Sequence, residues 1–189
     1  MSDSGQTKRR SNVRLREFSK SLPMSLLTAR ESVMQRFRSS LRLFNITEQQ
    51  WRVLRALSSV HEIEVTALAK ATFLLPPSLS RIVKDLDERK LVLRRFDEED
   101  ARRSLLSLSP DGHRLIEAVA PYSEAIYSEI TTAFGDDKLK LLQSLLRELQ
   151  TTVEALGPVS YEGAPVEIGA EHRNGERARG RPRKVDARE

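Results

Sequence analysis

The chain has 189 residues, 39% hydrophobic and 31% charged, with a formal net charge of +5. Such a composition suits one domain of ordinary size with tails, and its basic balance favours polyanionic partners. Cysteine is absent and His61, His113 and His172 are scattered, which excludes disulfides, thiolate metal sites and thiol redox sensing and leaves no metal-ligand cluster visible.

Residues 1–20 are rich in Ser, Gly and Arg and lack apolar periodicity, so a disordered basic arm is expected. Its Lys8, Arg9, Arg10, Arg14, Arg16 and Lys20 are either solvated or in contact with phosphates. No apolar h-region follows this basic start, and no apolar run approaches the roughly 20 residues that span a bilayer. A cytoplasmic protein without a membrane partner is the expectation.

Pro23 suits a first helical turn. From there Leu26, Leu27, Val33, Met34, Phe37, Leu41 and Phe44 recur at helical spacing, predicting a first helix over about 22–44. Thr47 with Gln50 three residues on is a capping-box signature. It opens a second helix with Trp51, Val53, Leu54 and Leu57 facing inward. A short helix over Glu64 to Thr72 follows, then a turn at Phe73-Leu74-Leu75. The next helix starts at Pro76, with Leu79, Ile82, Val83 and Leu86 as its buried stripe. Leu91 to Phe96 and Ser104 to Leu108 read as paired strands around a charged tip. Ser109-Pro110 is an N-cap followed by proline at the first helical position, and the helix it opens runs to about Phe134. After Gly135-Asp136-Asp137 a last helix carries Leu139, Leu142, Leu146, Leu149, Val153 and Leu156. Residues 157–189 are Gly-, Glu- and Arg-rich and are expected to be disordered.

A short helix, a turn and a helix with polar residues near its start form helix-turn-helix geometry, and the hairpin after them is a wing. The fold class expected is therefore mainly α with a small β-hairpin wing. In the helix from Pro76, Arg81 can reach guanine bidentately, Ser78 and Ser80 can reach bases or phosphates, and Lys84 can meet the backbone. At the wing tip Asp100 can lock the loop while Arg102, with Arg103 beside it, enters a narrow minor groove. Solvated helix residues and an exposed ion pair are the plainer alternatives.

The wing sequence Asp100-Ala101-Arg102-Arg103-Ser104-Leu105-Leu106-Ser107-Leu108-Ser109, with Gly112 following, resembles that of MarR-family transcriptional regulators. Thr47 to Arg55 also resembles the start of that family's second helix. With Ala29-Arg30-Glu31, the likeness is nearest to the branch regulating homoprotocatechuate-type aromatic degradation. It covers about Leu22 to Leu156. Two positions depart from the family pattern: Lys90 stands where a glycine usually ends the recognition helix, and Asp85 precedes Leu86 where an arginine is common.

The resemblance implies a homodimer that binds double-stranded DNA at a near-palindromic operator. Independently, Leu142, Leu146, Leu149, Val153 and Leu156 alternate by four and three, as an interhelical seam requires. An intramolecular core stripe would read the same way. Residues 22–44 and 110–156 are accordingly assigned to dimerisation and 47–108 to the DNA-binding lobe, within a domain of 21–156.

Arg30 falls on or beside the apolar stripe of the first helix, where a charge needs a partner. One candidate is the carboxylate of a small aromatic acid, with Met34, Trp51 and His61 as walls. The others are a protein carboxylate, or water reached by snorkelling. The resemblance puts effectors between the dimerisation helices and the DNA-binding lobe. In the tail, Arg179-Gly180-Arg181-Pro182 resembles the core of an AT-hook, whose arginines enter an A·T minor groove. No activated nucleophile, metal cluster or phosphate-binding glycine loop is visible, so neither an enzyme nor a cofactor is expected. The function expected is a repressor of an aromatic-compound catabolic operon, released by a small aromatic carboxylate. A constitutive or architectural DNA binder is the alternative.

Overall fold

The computed structural model describes residues 17–96 and 103–158. A 3₁₀ turn at Phe18–Lys20 leads into α1 (Leu22–Leu43), α2 (Glu48–Ser58), β1 (Ile63–Glu64), α3 (Val65–Thr72), α4 (Pro76–Glu88), β2 (Val92–Phe96), β3 (Ser104–Leu108), α5 (Pro110–Phe134) and α6 (Asp136–Ala155). By its contacts the chain divides into two units, 1–141 and 142–189. Among the described residues no helix is long and apolar enough to cross a membrane.

The first unit is a winged helix-turn-helix. Its core is built on α2, α3, α4 and the sheet, where Val53, Leu54, Leu57, Leu68, Leu79, Leu86, Val92 and Leu106 are all almost fully buried. The capping box of α2 forms in full: the Gln50 amide N–H donates to Thr47 Oγ1 and the Thr47 amide N–H to Gln50 Oε1. Those bonds satisfy two donors that a helix start leaves orphaned. α1 lies along α5 through edge-on ring pairs, Phe37 with Tyr127 and Phe44 with Tyr122, whose centres are 5.1 and 5.3 Å apart.

The sequence pattern anticipates two strands; the sheet has three, in the order β1-β3-β2 and antiparallel throughout. β1 is only Ile63–Glu64, which pair with Leu106 and Leu105. The helix expected from Glu64 accordingly begins at Val65, with Glu64 as its N-cap in an extended conformation. On α1 the long apolar stripe is only partly inside. Phe37 and Leu41 are buried and Met34 and Phe44 half-buried, whereas Leu26, Leu27 and Val33 are exposed. On α2 Trp51 is half-buried rather than fully inside.

Three helices end in the left-handed conformation without a glycine: Asn45, Phe73 and Lys90 have φ of 53, 52 and 57°. Each is the C′ residue of a Schellman closure, in which the next residue's N–H bonds back to the carbonyl five residues earlier. The bonds run from Ile46 to Leu41, from Leu74 to Ala69 and from Leu91 to Leu86. Lys90 therefore keeps the turn geometry that a glycine would adopt without strain.

Candidate DNA-binding and effector sites

α4 is seated by Leu79, Val83 and Leu86, which are buried, so its opposite face is turned outward. Ser80, Arg81 and Lys84 are exposed there. Arg81 has no ion pair among the described residues, and Lys84 stands 3.8 Å from Glu88. The Ser80 hydroxyl donates to the Pro76 carbonyl at 2.9 Å. Ser78 is half-buried and so is the least available of the four residues predicted on this helix. Asp85 is held from two sides: Gln50 Nε2 donates to its Oδ2 at 2.6 Å, and Arg89 lies 3.7 Å away. One glutamine thus caps α2 and also ties α2 to α4.

At the wing, Arg94 Nε donates to Ser104 Oγ at 2.7 Å and its guanidinium lies 5.5 Å from the Phe96 ring centre. Arg95 is paired with Glu62 and Arg103 with Glu64, at 2.5 and 3.0 Å. Arg103 therefore braces the wing base against β1. Arg94 and Arg95 add two cations that were read only as strand residues. Asp100 and Arg102, and likewise Arg179 and Arg181, lie outside the described residues.

A cavity of about 640 Å³ opens between α1, α2, α5 and the turn after α3. Its apolar wall includes Val33, Met34, Phe37, Trp51, Phe73, Ile116 and Tyr127, and its charged groups are Arg30, Glu48, Arg52, Arg55 and Glu124. Apolar walls with a few converging polar groups are the usual make-up of a small-molecule site. Of the residues predicted for an effector, Arg30, Met34 and Trp51 meet here. His61 does not: it is exposed between α2 and β1, outside this lining. A larger depression of about 830 Å³ between α1 and α5 is lined largely by polar residues such as Ser32, Gln35, Ser39 and Ser40, and offers a ring less apolar wall.

Glu48 organises the charged end of the cavity. Its side chain is 14% exposed and takes three guanidinium groups. Arg30 pairs with Oε1, Arg52 reaches Oε1 at 3.1 Å, and Arg38 reaches Oε2 at 2.8 Å. Arg30 thus has a protein carboxylate as its partner. Arg38 is shared with Glu31, and its hydrogen bond holds the Glu31 carboxyl below the ordinary carboxylate value. Arg55 sits 6.0 Å from the Trp51 ring centre. Glu48, Arg52, Phe73 and Tyr127 were missed as site residues. Glu48 could have been found by asking which carboxylate lies near Arg30 once α1 and α2 pack.

In the second unit, Leu142, Leu146, Val153 and Leu156 are exposed and Leu149 is half-buried. None of the residues of α6 is buried within the single chain.

Comparison with known proteins adds to this geometry. The model of the MarR family matches residues 44–103. The HTH-type transcriptional regulator FarR of Neisseria gonorrhoeae is 36% identical over 136 residues, covering 72% of this chain and 93% of that protein. The homoprotocatechuate degradative operon repressor of Escherichia coli is 35% identical over 145 residues, covering 77% and 95%. Among solved structures, NadR in complex with 4-hydroxyphenylacetate superposes with a TM-score of 0.67 at 34% identity, covering 72% of this chain and all (100%) of that one.

Proposed function

The chain belongs to the MarR family of transcriptional regulators, and from that premise we propose that it is a homodimeric repressor of an aromatic-compound catabolic operon. A small aromatic carboxylate binds it and releases it from a near-palindromic operator. The observation that carries this reading is the cavity that joins the Arg30 guanidinium to the rings of Phe37, Trp51 and Tyr127. A guanidinium binds a carboxylate by charge-assisted hydrogen bonds, and ring faces match a planar apolar body. The two relatives named for homoprotocatechuate degradation and for a 4-hydroxyphenylacetate complex support the ligand class.

DNA contact is assigned to Ser80, Arg81 and Lys84 on α4, with Ser78 at its edge, and to the wing arginines. Asp100 and Arg102 are proposed for the wing tip, and Arg179 with Arg181 for a minor-groove contact by the tail. Dimerisation is assigned to the α6 seam, so that two copies of α4 fall about one DNA turn apart.

The test is operator binding by the purified protein, titrated with a panel of aromatic carboxylates, for the wild type and for Arg30→Ala. At least one acid is expected to weaken wild-type binding by about tenfold or more, as effector couplings commonly do. Arg30→Ala is expected to need roughly tenfold more of that acid, about the value of one charge-assisted contact. If no acid changes operator affinity at about millimolar concentration, where binding is worth only about 4 kcal/mol, the effector reading is wrong. Ligand-insensitive binding with little sequence preference would instead favour an architectural DNA binder.

A further inference from the structure

We propose that Arg52 is the residue through which the cavity acts on the helix-turn-helix, and that Glu48 is an internal anion with which an incoming carboxylate competes. This rests on the aromatic-acid reading given above and assigns the route by which that acid would act.

Arg52 has two partners at once. Its Nη2 is 3.1 Å from Glu48 Oε1, at the charged end of the cavity. Its Nη1 donates at 3.0 Å to the main-chain carbonyl of Thr72, the last residue of α3. That carbonyl is one of the orphaned acceptors at a helix end. Thr72 is completely buried and its hydroxyl donates to the Leu68 carbonyl at 2.6 Å, so this point of the chain is anchored to α3. The next residue, Phe73, is left-handed, 83% exposed, and itself lines the cavity. Three residues further on α4 begins. The guanidinium that meets Glu48 is thus the same group that holds the turn aiming α4.

The charge count shows why an extra anion fits and what it must disturb. Arg30, Arg38 and Arg52 converge on Glu48, and Glu31 takes only Arg38 among them. Three cations against two carboxylates leave one positive charge in excess. A ligand carboxylate that binds Arg30 must approach Glu48 Oε1, the oxygen that Arg30 and Arg52 share. Two anions cannot hold the same N–H groups, and their repulsion in a partly desolvated site is costly. Arg52 then follows one carboxylate or the other, and its bond to the Thr72 carbonyl alters with it. The turn therefore has two arrangements, one suited to the operator and one suited to the acid. Linkage makes the effect reciprocal, so operator binding weakens acid binding by the same factor.

Trp51 is the chain's single tryptophan and lines the cavity, so its fluorescence reports ligand entry directly. The probe is 4-hydroxyphenylacetate, added to the full-length wild type, Arg52→Gln, Arg52→Lys and Glu48→Gln. Operator affinity is measured without acid and at acid saturation, so that a change in acid affinity does not enter the comparison. Thermal unfolding checks that each variant is folded. The wild type is expected to lose about tenfold or more in operator affinity on saturation. Arg52→Gln is expected to change less than about threefold on saturation, measured against its own operator affinity without acid. Arg52→Lys covers the case in which the glutamine variant does not fold. It keeps the charge but lacks the fork that spans two acceptors, so it is also expected to lose the response. Glu48→Gln is expected to bind the acid about tenfold more tightly, because the competing charge is gone. Release of a folded Arg52 variant as complete as that of the wild type overturns the coupling route alone. Unchanged or weaker acid binding by Glu48→Gln overturns the competition. If neither the Trp51 signal nor the operator affinity of the wild type responds to 4-hydroxyphenylacetate or to any other acid of the panel above, the aromatic-acid reading falls, and this route with it.

Discussion

Gly112 is a glycine because of its neighbour. A Cβ there would lie 2.1 Å from the main-chain oxygen of Leu91 and 3.1 Å from Leu108. The same Leu91 oxygen accepts from the Ser109 N–H at 3.1 Å. Ser109 Oγ accepts from the Gly112 N–H at 2.9 Å and donates to the Lys90 carbonyl at 2.5 Å. One hydroxyl therefore caps α5 and pins the turn that leaves α4, and this close approach has room only for hydrogen at position 112. Gly112→Ala is expected to lower unfolding free energy by about 3 kcal/mol, the upper end for overpacking against rigid neighbours. Lys90→Gly should move the other way, by about +1 kcal/mol, because it relieves a left-handed non-glycine residue without removing a buried group. Chemical denaturation of the two variants beside the wild type checks both signs. An unchanged midpoint for Gly112→Ala would mean that the α4–β2 turn gives way easily.

At the scale of elements, most of the fold is legible in the pattern of residues. The apolar stripe of α4, the proline pair at its start and the capping box of α2 are local signals, and they appear where the spacing puts them, save that Ile82 of the stripe is only half-buried. β1 is different. Two residues are too few to show alternation, and Ile63 and Glu64 become a strand only because β3 offers Leu106 and Leu105 as partners. The left-handed turn residues are equally silent, since Phe73 and Lys90 are not residues that advertise φ above zero. The candidate site divides in the same way. Arg30 stands out locally as a charge on an apolar stripe, whereas Glu48, Arg52 and Phe73 join it only when α1, α2 and the α3–α4 turn pack together. α4, the proposed recognition helix, supplies the prediction at this scale. Arg81 is exposed and without an ion pair among the described residues. Arg81→Ala should cost operator binding about 1–3 kcal/mol and relax preference at one base pair in each half-site. Lys84→Ala should weaken binding about equally across sequences and lower the salt slope by about one. Binding measured over single-base operator variants at several salt concentrations separates the two. Equal losses on every sequence for Arg81→Ala would move it to the phosphate backbone.

For the whole molecule, the decisive question is what covers α6. Leu142, Leu146 and Val153 are 42, 40 and 53% exposed, and Leu156 is 68% exposed. With the half-buried Leu149 between them they recur every three or four residues and so share one helix face. A contiguous apolar stripe of this kind is uncommon on a soluble monomer and usually marks an interface. A second copy is the occupant that the proposed function requires, because one winged helix would read only half of the proposed palindromic site. Leu146→Glu with Val153→Glu places two charges in that seam, while no side chain of α6 is buried in the single chain. The double variant should therefore remain folded, sediment as a monomer, and lose the affinity gained when two half-sites are held together. That gain is roughly 10²–10⁴-fold for linked binding modules. Its residual binding should fall on single half-sites with a salt slope about half that of the wild type, because half as many phosphates are contacted. A double variant that still sediments as a dimer and holds the full operator would assign the interface to another surface. The exposed Leu22, Leu26 and Leu27 of α1 would then be the next residues to charge.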